Sequence, residues 1–197
     1  ETVSIIYTVL IATANEKTKT LQPMTQLAIS EAGSTATSGG VYGTNYTDED
    51  LCLNKADIFK VRAVYMAPNA TDAATAPTMT YSSASGAAIS TGEIFQPGEK
   101  ITGSNGSIAR IITGGSAGSA TATASFTYLT TKTFTTGTTL TSTQNTFSYI
   151  LTITAVDAGD ENILSNYTVD TGMRDTYYDL GSISRKAGES PPTGKLL

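Results

Sequence analysis

One frame occurs twice in this chain and constrains its fold more than any other feature. Phe95-Gln-Pro-Gly98-Glu-Lys-Ile101-Thr102-Gly103-Ser104 leads into Ile111-Ile112-Thr113. Thirty-nine residues later, Phe134-Thr-Thr-Gly137-Thr-Thr-Leu140-Thr141-Ser142-Thr143 leads into Ile150-Leu151-Thr152. The shared pattern is Phe-x-x-Gly-x-x-(Ile/Leu)-Thr. Each part has a physical use in a β unit. The Phe anchors a strand end, the Gly supplies a turn that needs positive φ, and the aliphatic residue opens the next strand. Asn105-Gly106 in the first copy is a two-residue hairpin turn signal. The second copy carries Thr138 where the first has Glu99, which makes it the degenerate one. Two units are too few for a solenoid, so the frame predicts two hairpins packed into one small barrel or sandwich.

Alternation extends this reading along the chain. Val3, Ile5, Tyr7, Val9 and Ile11 share one parity and predict a strand over Val3 to Ala12. Gln26 to Ser30 is a shorter candidate, and Ala56 to Ala67 reads as another strand, with Phe59, Val61, Ala63 and Tyr65 on one face. Thr47-Asp48-Glu49-Asp50 has the spacing of a short helix start. Pro68 to Ser90 reads as a linker, Phe147 to Ile153 as a strand, Asp157 to Asn162 as a polar turn and Tyr167 to Asp170 as a short strand. The fold class expected is all-β: small β-sandwich or barrel modules with an internal hairpin repeat and little helix. The organisation expected is a β module over 1–90 with long Gly/Ser/Thr loops, a repeated hairpin module over 91–156, and a Tyr-rich turn with a C-terminal linker or docking segment over 157–197. The start at Glu1 and the Pro191-Pro192-Thr193-Gly194 ending read as a piece of a longer polypeptide.

Composition narrows the chemistry. The chain has no His, so a Ser-His-Asp triad, a Cys-His pair and a His-based metal site are all excluded. Its single Cys52 cannot close a disulfide within the chain and reads as a small buried hydrophobe. With 12 basic and 17 acidic residues and no basic run, no nucleic-acid partner is expected. No apolar run is long enough for a membrane-spanning helix, and no membrane partner is expected. Asp157, Asp160, Glu161 and Asn162 gather oxygens but miss the calcium-loop spacing and read as a solvated turn. Asp170, Asp175 and Asp179 beside Tyr177 and Tyr178 are the only carboxylates placed for glycoside hydrolysis, and the stretch reads instead as a compact turn. Gly114 to Gly118 lacks the Lys-Ser/Thr ending of a phosphate loop. Four Asn-x-Ser/Thr sequons open at Asn45, Asn69, Asn105 and Asn166. No catalytic residue, cofactor, metal or small-molecule substrate is expected. The 36 Thr include many between Thr121 and Thr146, a stretch that as read has little to bury and points to stability gained from a neighbouring subunit.

Two stretches carry a family resemblance. The first is Phe95-x-x-Gly98-Glu99-x-Ile101-Thr102-Gly103-Ser104 with Gly106-Ser107-x-Ala109. The second runs Asn166-Tyr167-Thr168-Val169-Asp170-Thr171-Gly172-Met173-Arg174-Asp175-x-Tyr177-Tyr178-Asp179-x-Gly181-x-Ile183-x-Arg185-Lys186 and on to Pro191-Pro192-Thr193-Gly194. Together they resemble large virion structural proteins of contractile-tailed phages, especially those of marine cyanobacteria, across roughly residues 50 to 197. The stretch Asp57 to Met66 with Ala76-Pro77-Thr78 is similar to the same family. The resemblance implies a non-enzymatic tail or baseplate component in the virion, whose partners are other virion proteins and copies of itself. It brings no catalytic residues. Within it, Arg174, Asp175 and Asp179 are candidates for an ion pair that fixes the turn. Tyr177 and Tyr178 are candidate anchors for a neighbouring chain. The alternative class is a cell-surface or secreted β-rich adhesin or filament subunit that binds a host ligand.

Overall fold

A computed structural model describes residues 20, 22–30, 45–86, 95–114, 122–142, 149–173 and 179–197. The predicted strand Val3 to Ala12 lies outside them. The chain is all-β, with a single 3-10 turn at Leu164–Asn166 among the described residues. Six strands close a barrel: β3 (Thr78–Gly86), β4 (Lys100–Gly103), β5 (Ile108–Gly114), β6 (Ala122–Tyr128), β7 (Thr139–Ser142) and β8 (Tyr149–Asp157). Their order around the barrel is β3-β6-β5-β4-β7-β8, and every pairing is antiparallel. Beside it lie a three-stranded sheet and a two-stranded one. The first orders β1 (Asp50–Ala56), β11 (Leu180–Arg185) and β10 (Tyr167–Asp170); the second pairs β2 (Tyr65–Met66) with β9 (Glu161–Asn162).

The repeated frame becomes a pseudo-two-fold axis. β4, β5 and β6 form one half of the barrel; β7, β8 and β3 form the other. The register shows it. Thr102 faces Thr141 on the axis, while Ile101 faces Ser142 and Gly103 faces Leu140. On the opposite side Met79 faces Ala124, flanked by Thr80 with Thr123 and Thr78 with Ser125. Gly98 and Gly137 sit at φ 82° and 85°, the left-handed turn predicted for both. The Gly98 N–H donates to the Ile111 carbonyl, and the Gly137 N–H to the Ile153 carbonyl, each at 2.8 Å. Ile111 therefore corresponds to Ile153, and not to Ile150 as the 39-residue spacing predicts. The stretch joining β7 to β8 is longer than the tight turn joining β4 to β5, so the spacing grows after the first strand of the second copy. Both halves also carry a bulge, at Ile112 and at Thr154, where the pairing register slips by one residue.

Closure needs β3, and β3 corrects the linker reading of Pro68 to Ser90. Among the residues of this strand whose side chains are described, Met79 and Tyr81 point inward; its Thr, Ser and Ala residues made it look like a spacer. Twelve buried side chains fill the barrel and form six pairs related by the axis: Phe95 with Phe134, Ile101 with Leu140, Ala109 with Leu151, Ile111 with Ile153, Ala124 with Met79, and Phe126 with Tyr81. Phe95 packs on Tyr81 with ring centroids 4.9 Å apart, and Phe134 on Phe126 at 5.1 Å. Burying each large member contributes about 1.5–3 kcal/mol. The Thr-rich stretch thus has a core after all. Ala124, Phe126, Phe134 and Leu140 enter the barrel while alternating Thr residues face outward, and closure leaves this sheet no free edge among the described residues.

Even the degenerate position keeps its job. The Gln96 N–H donates to Glu99 Oε2 at 2.8 Å, and the Thr135 N–H donates to Thr138 Oγ1 at 3.3 Å. Both side chains are buried. A hydroxyl replaces a carboxylate in closing the same turn.

Other expectations change as well. Thr47 to Asp50 starts no helix. Asn45 and Asp48 form a turn in which the Asp48 N–H donates to the Asn45 carbonyl at 2.9 Å, and β1 then begins at Asp50. Of the strand predicted over Ala56 to Ala67, only Ala56, as the end of β1, and Tyr65–Met66 lie in strands, because Asp57 adopts φ 55° and breaks the run after β1. Residues 191–197 do not behave as a free linker. Leu196 is buried and exchanges backbone hydrogen bonds with Ile29, and Leu197 does so with Tyr65. The sheets also do not follow three consecutive segments. β3 joins the barrel from one side of the 90/91 division, and β1 and β2 pair with strands beyond residue 157.

The bulge residue Ile112 joins barrel to sheets. It points outward and is buried against Tyr65 and Ala76, with Met24, Ala63 and Leu197 packed around it. The Tyr65 hydroxyl donates to Thr127 Oγ1 at 3.0 Å on the same outer face. A second core, built on Tyr46, Leu51, Val64, Ile163, Tyr167, Ile183 and Leu196, lies between the two small sheets.

Candidate functional site

The predicted interface residues Arg174, Asp175, Tyr177 and Tyr178 lie outside the described residues. Asp179 is described and sits at one end of the three-stranded sheet, at the start of β11. Its N–H donates to the Gly172 carbonyl at 2.7 Å, and its Oδ1 accepts the Leu180 N–H at 2.8 Å. Gly172 takes φ 75°, and a Cβ there would collide with the Asp179 carbonyl. The Asp170 carboxylate closes the other side of this turn by accepting the Gly172 N–H at 2.9 Å. Asp170 and Asp179 both accept backbone N–H groups here and so help to close the turn.

Apolar side chains surround this end. The Ile58 N–H donates to the Thr171 carbonyl at 2.9 Å, which brings the next residue, Phe59, beside the hairpin. Phe59 is 79% exposed and Met173 53% exposed. Val169 and Leu180 are exposed as well. Alternation puts Phe59 on one face of a strand with Val61, Ala63 and Tyr65; the ladder instead ends at Ala56, and Phe59 is exposed.

The oxygen-rich turn over Asp157 to Asn162 is committed to backbone. Asp157 Oδ1 accepts the Gly159 N–H, Asp160 Oδ2 accepts the Thr75 N–H, and Asn162 Oδ1 accepts the N–H groups of Val64 and Leu164. No group of three or more acidic or Cys side chains is placed to hold a metal ion among the described residues. Cys52 is buried, with its Sγ against Asn54.

The sequons have a conformational explanation. The side-chain oxygens of Asn45, Asn69 and Asn105 each accept both the backbone N–H and the hydroxyl of the residue two positions on: Thr47, Thr71 and Ser107. This is the Asx turn, and an Asn-x-Ser/Thr triplet is well suited to it. Asn166 differs, since its Oδ1 accepts from Ser165.

Four tyrosines titrate above the ordinary phenol value of 10.0, chiefly because burial disfavours the phenolate: Tyr65, Tyr81, Tyr128 and Tyr167. The hydrogen bond to Thr127 moderates the shift at Tyr65, and the positive charge of Arg185 moderates it at Tyr167. The hydroxyls of Tyr81 and Tyr167 are buried without a hydrogen-bond partner among the described residues.

No protein-family model, no curated protein and no solved structure matches the chain.

Proposed function

We propose that this chain is a structural component of a phage virion, in the tail or baseplate, that works through protein–protein contact and not through reactive side chains. The observation that carries this reading is the use made of the motif residues. Phe95, Gly98, Glu99, Ile101 and Gly103, which give the chain its resemblance to contractile-tailed phage proteins, are spent on the barrel's turn and core. The second motif surrounds a hairpin end near which Phe59, Met173, Val169 and Leu180 are each exposed. Exposed apolar residues next to a backbone turn held by Asp170 and Asp179 suit an assembly contact, since a few desolvated anchors carry most of the energy of such interfaces.

The test is location. Antibodies raised against the chain should decorate the tail or baseplate of purified particles in negative-stain electron microscopy. Particles free of the chain by mass spectrometry, with label on a cell surface instead, would assign it to the adhesin class.

A further inference from the structure

We propose that the outer face of the barrel, where β5 leaves the cover of the small sheets, binds a free divalent oxyanion, phosphate or sulfate, between Arg62, Lys100 and Arg110. Three elements bring these cations to one place. Lys100 of β4 and Arg110 of β5 are direct cross-strand partners, with Ile101 facing Ala109 beside them. Ile101 and Ala109 fill the barrel, so Lys100 and Arg110, one residue away on each strand, stand on its outer face. Arg62 comes from the segment packed over that face. The next residue, Ala63, packs with Met24 against the cluster of Tyr65, Ala76 and Ile112, and Ile112 lies two residues on from Arg110. All three cations are half-buried.

The arrangement is unfavourable until an anion completes it, because like charges directly opposite on paired strands repel. Arg110 Nη1 donates to the carbonyl of Gly98, beside Met24, which fixes the guanidinium at the rim. Its Nε is buried and takes no part in binding; the other terminal nitrogen remains for a ligand. Burial, and after it the charge of Arg110, holds the Arg62 guanidinium below its ordinary pKa, so the two groups sense each other. Neither arginine forms an ion pair among the described residues, although the chain holds 17 acidic residues against 12 basic ones. Glu99, next to Lys100 in sequence, is buried and accepts the Gln96 N–H in its own turn. A divalent oxyanion suits the place better than a carboxylate. It offers acceptors to two guanidinium groups at once and offsets more of the charge. Positions 62, 100 and 110 are far apart in the chain, so no basic run announces the site. The inference is independent of the virion reading.

The experiment is a ¹H–¹⁵N titration of the full chain with sodium phosphate, sulfate, acetate and chloride, at constant ionic strength and mildly alkaline pH. Phosphate and sulfate should shift the amides of Arg62, Lys100 and Arg110 saturably. Acetate and chloride should bind about tenfold more weakly. Arg62→Gln should weaken phosphate binding by about five- to tenfold, and Lys60→Gln, at an exposed neighbour, by less than about twofold. Arg62 makes no hydrogen bond among the described residues, so its replacement leaves the fold intact, and the comparison of phosphate with acetate needs no variant. The absence of a saturable shift, equal binding of acetate or chloride, indifference to Arg62→Gln, or an equal loss in Lys60→Gln would each overturn the assignment.

Discussion

The two halves of the barrel share a backbone plan and divide their burial differently. Inside, the half made of β7, β8 and β3 is the bulkier. It contributes Leu151 and Met79 where its mate has Ala109 and Ala124. Outside, the relation reverses. The half made of β4, β5 and β6 presents Ile112 and Thr127, which are buried against the segment that carries Tyr65 and Ala76. The equivalent bulge residue in the other half is Thr154, exposed, with its hydroxyl on the Thr80 carbonyl at 3.1 Å. One half is held mainly from within; the other is held from both sides and serves as the mount for the rest of the chain. A repeat can therefore conserve turns and inward positions while its outer residues diverge to meet different neighbours.

Substitution tests this division. The largest effect belongs to the shared interior. Phe126→Ala should cost about 3–5 kcal/mol in denaturant unfolding, and Leu140→Ala about 2–5 kcal/mol, since both leave cavities in a closed core. A far smaller loss at one site than at the other would break the equivalence of the halves. Next comes the outer face. Ile112→Thr, which copies the mate residue, should lose about 2 kcal/mol and loosen the barrel from the small sheets. A third effect has the opposite sign. Tyr81 occupies the place of Phe126 but carries an unpartnered buried hydroxyl, so Tyr81→Phe should raise stability by about 1 kcal/mol. The smallest is Thr154→Ile, within about 0.5 kcal/mol of zero, because nothing covers that position among the described residues.

Alkaline pH probes the same hydroxyls together. A tyrosine whose folded pKa lies above its unfolded value keeps its proton in the native state after the unfolded chain has lost it. The native state then holds more protons, so stability falls as pH rises. Melting should be insensitive to these groups below pH 10 and decline above it, through the window between the unfolded value of 10.0 and the raised native ones. Tyr81→Phe should make that decline shallower.

Much of the barrel could be read from residues alone. Phe95, Gly98, Ile101 and their counterparts were legible because aromatic anchor, positive-φ turn and inward aliphatic each demand a particular residue type. The third strand of the second half was not, since β3 precedes both copies of the frame in the chain and offers only Met79 and Tyr81 as apolar signal. The correspondence of Ile111 with Ile153 was hidden by the longer connection into β8, and Thr138 looked like a loss although its hydroxyl closes the turn that Glu99 closes. Pairings such as Leu51 with Ile183 join distant parts of the chain and leave no local periodicity to detect. Of the candidate interface, Asp179 emerged as a turn-closing carboxylate. Phe59 escaped notice as an exposed anchor because alternation assigned it to a strand that stops at Ala56.

Native-state hydrogen exchange of the full chain tests the pseudo-two-fold barrel most directly. The account predicts that the amides of Met79 and Tyr81 in β3 exchange as slowly as those of Ala124 and Phe126 in β6, through global unfolding alone. Rapid exchange of β3 at loop rates, with β4 to β8 still protected, would contradict it.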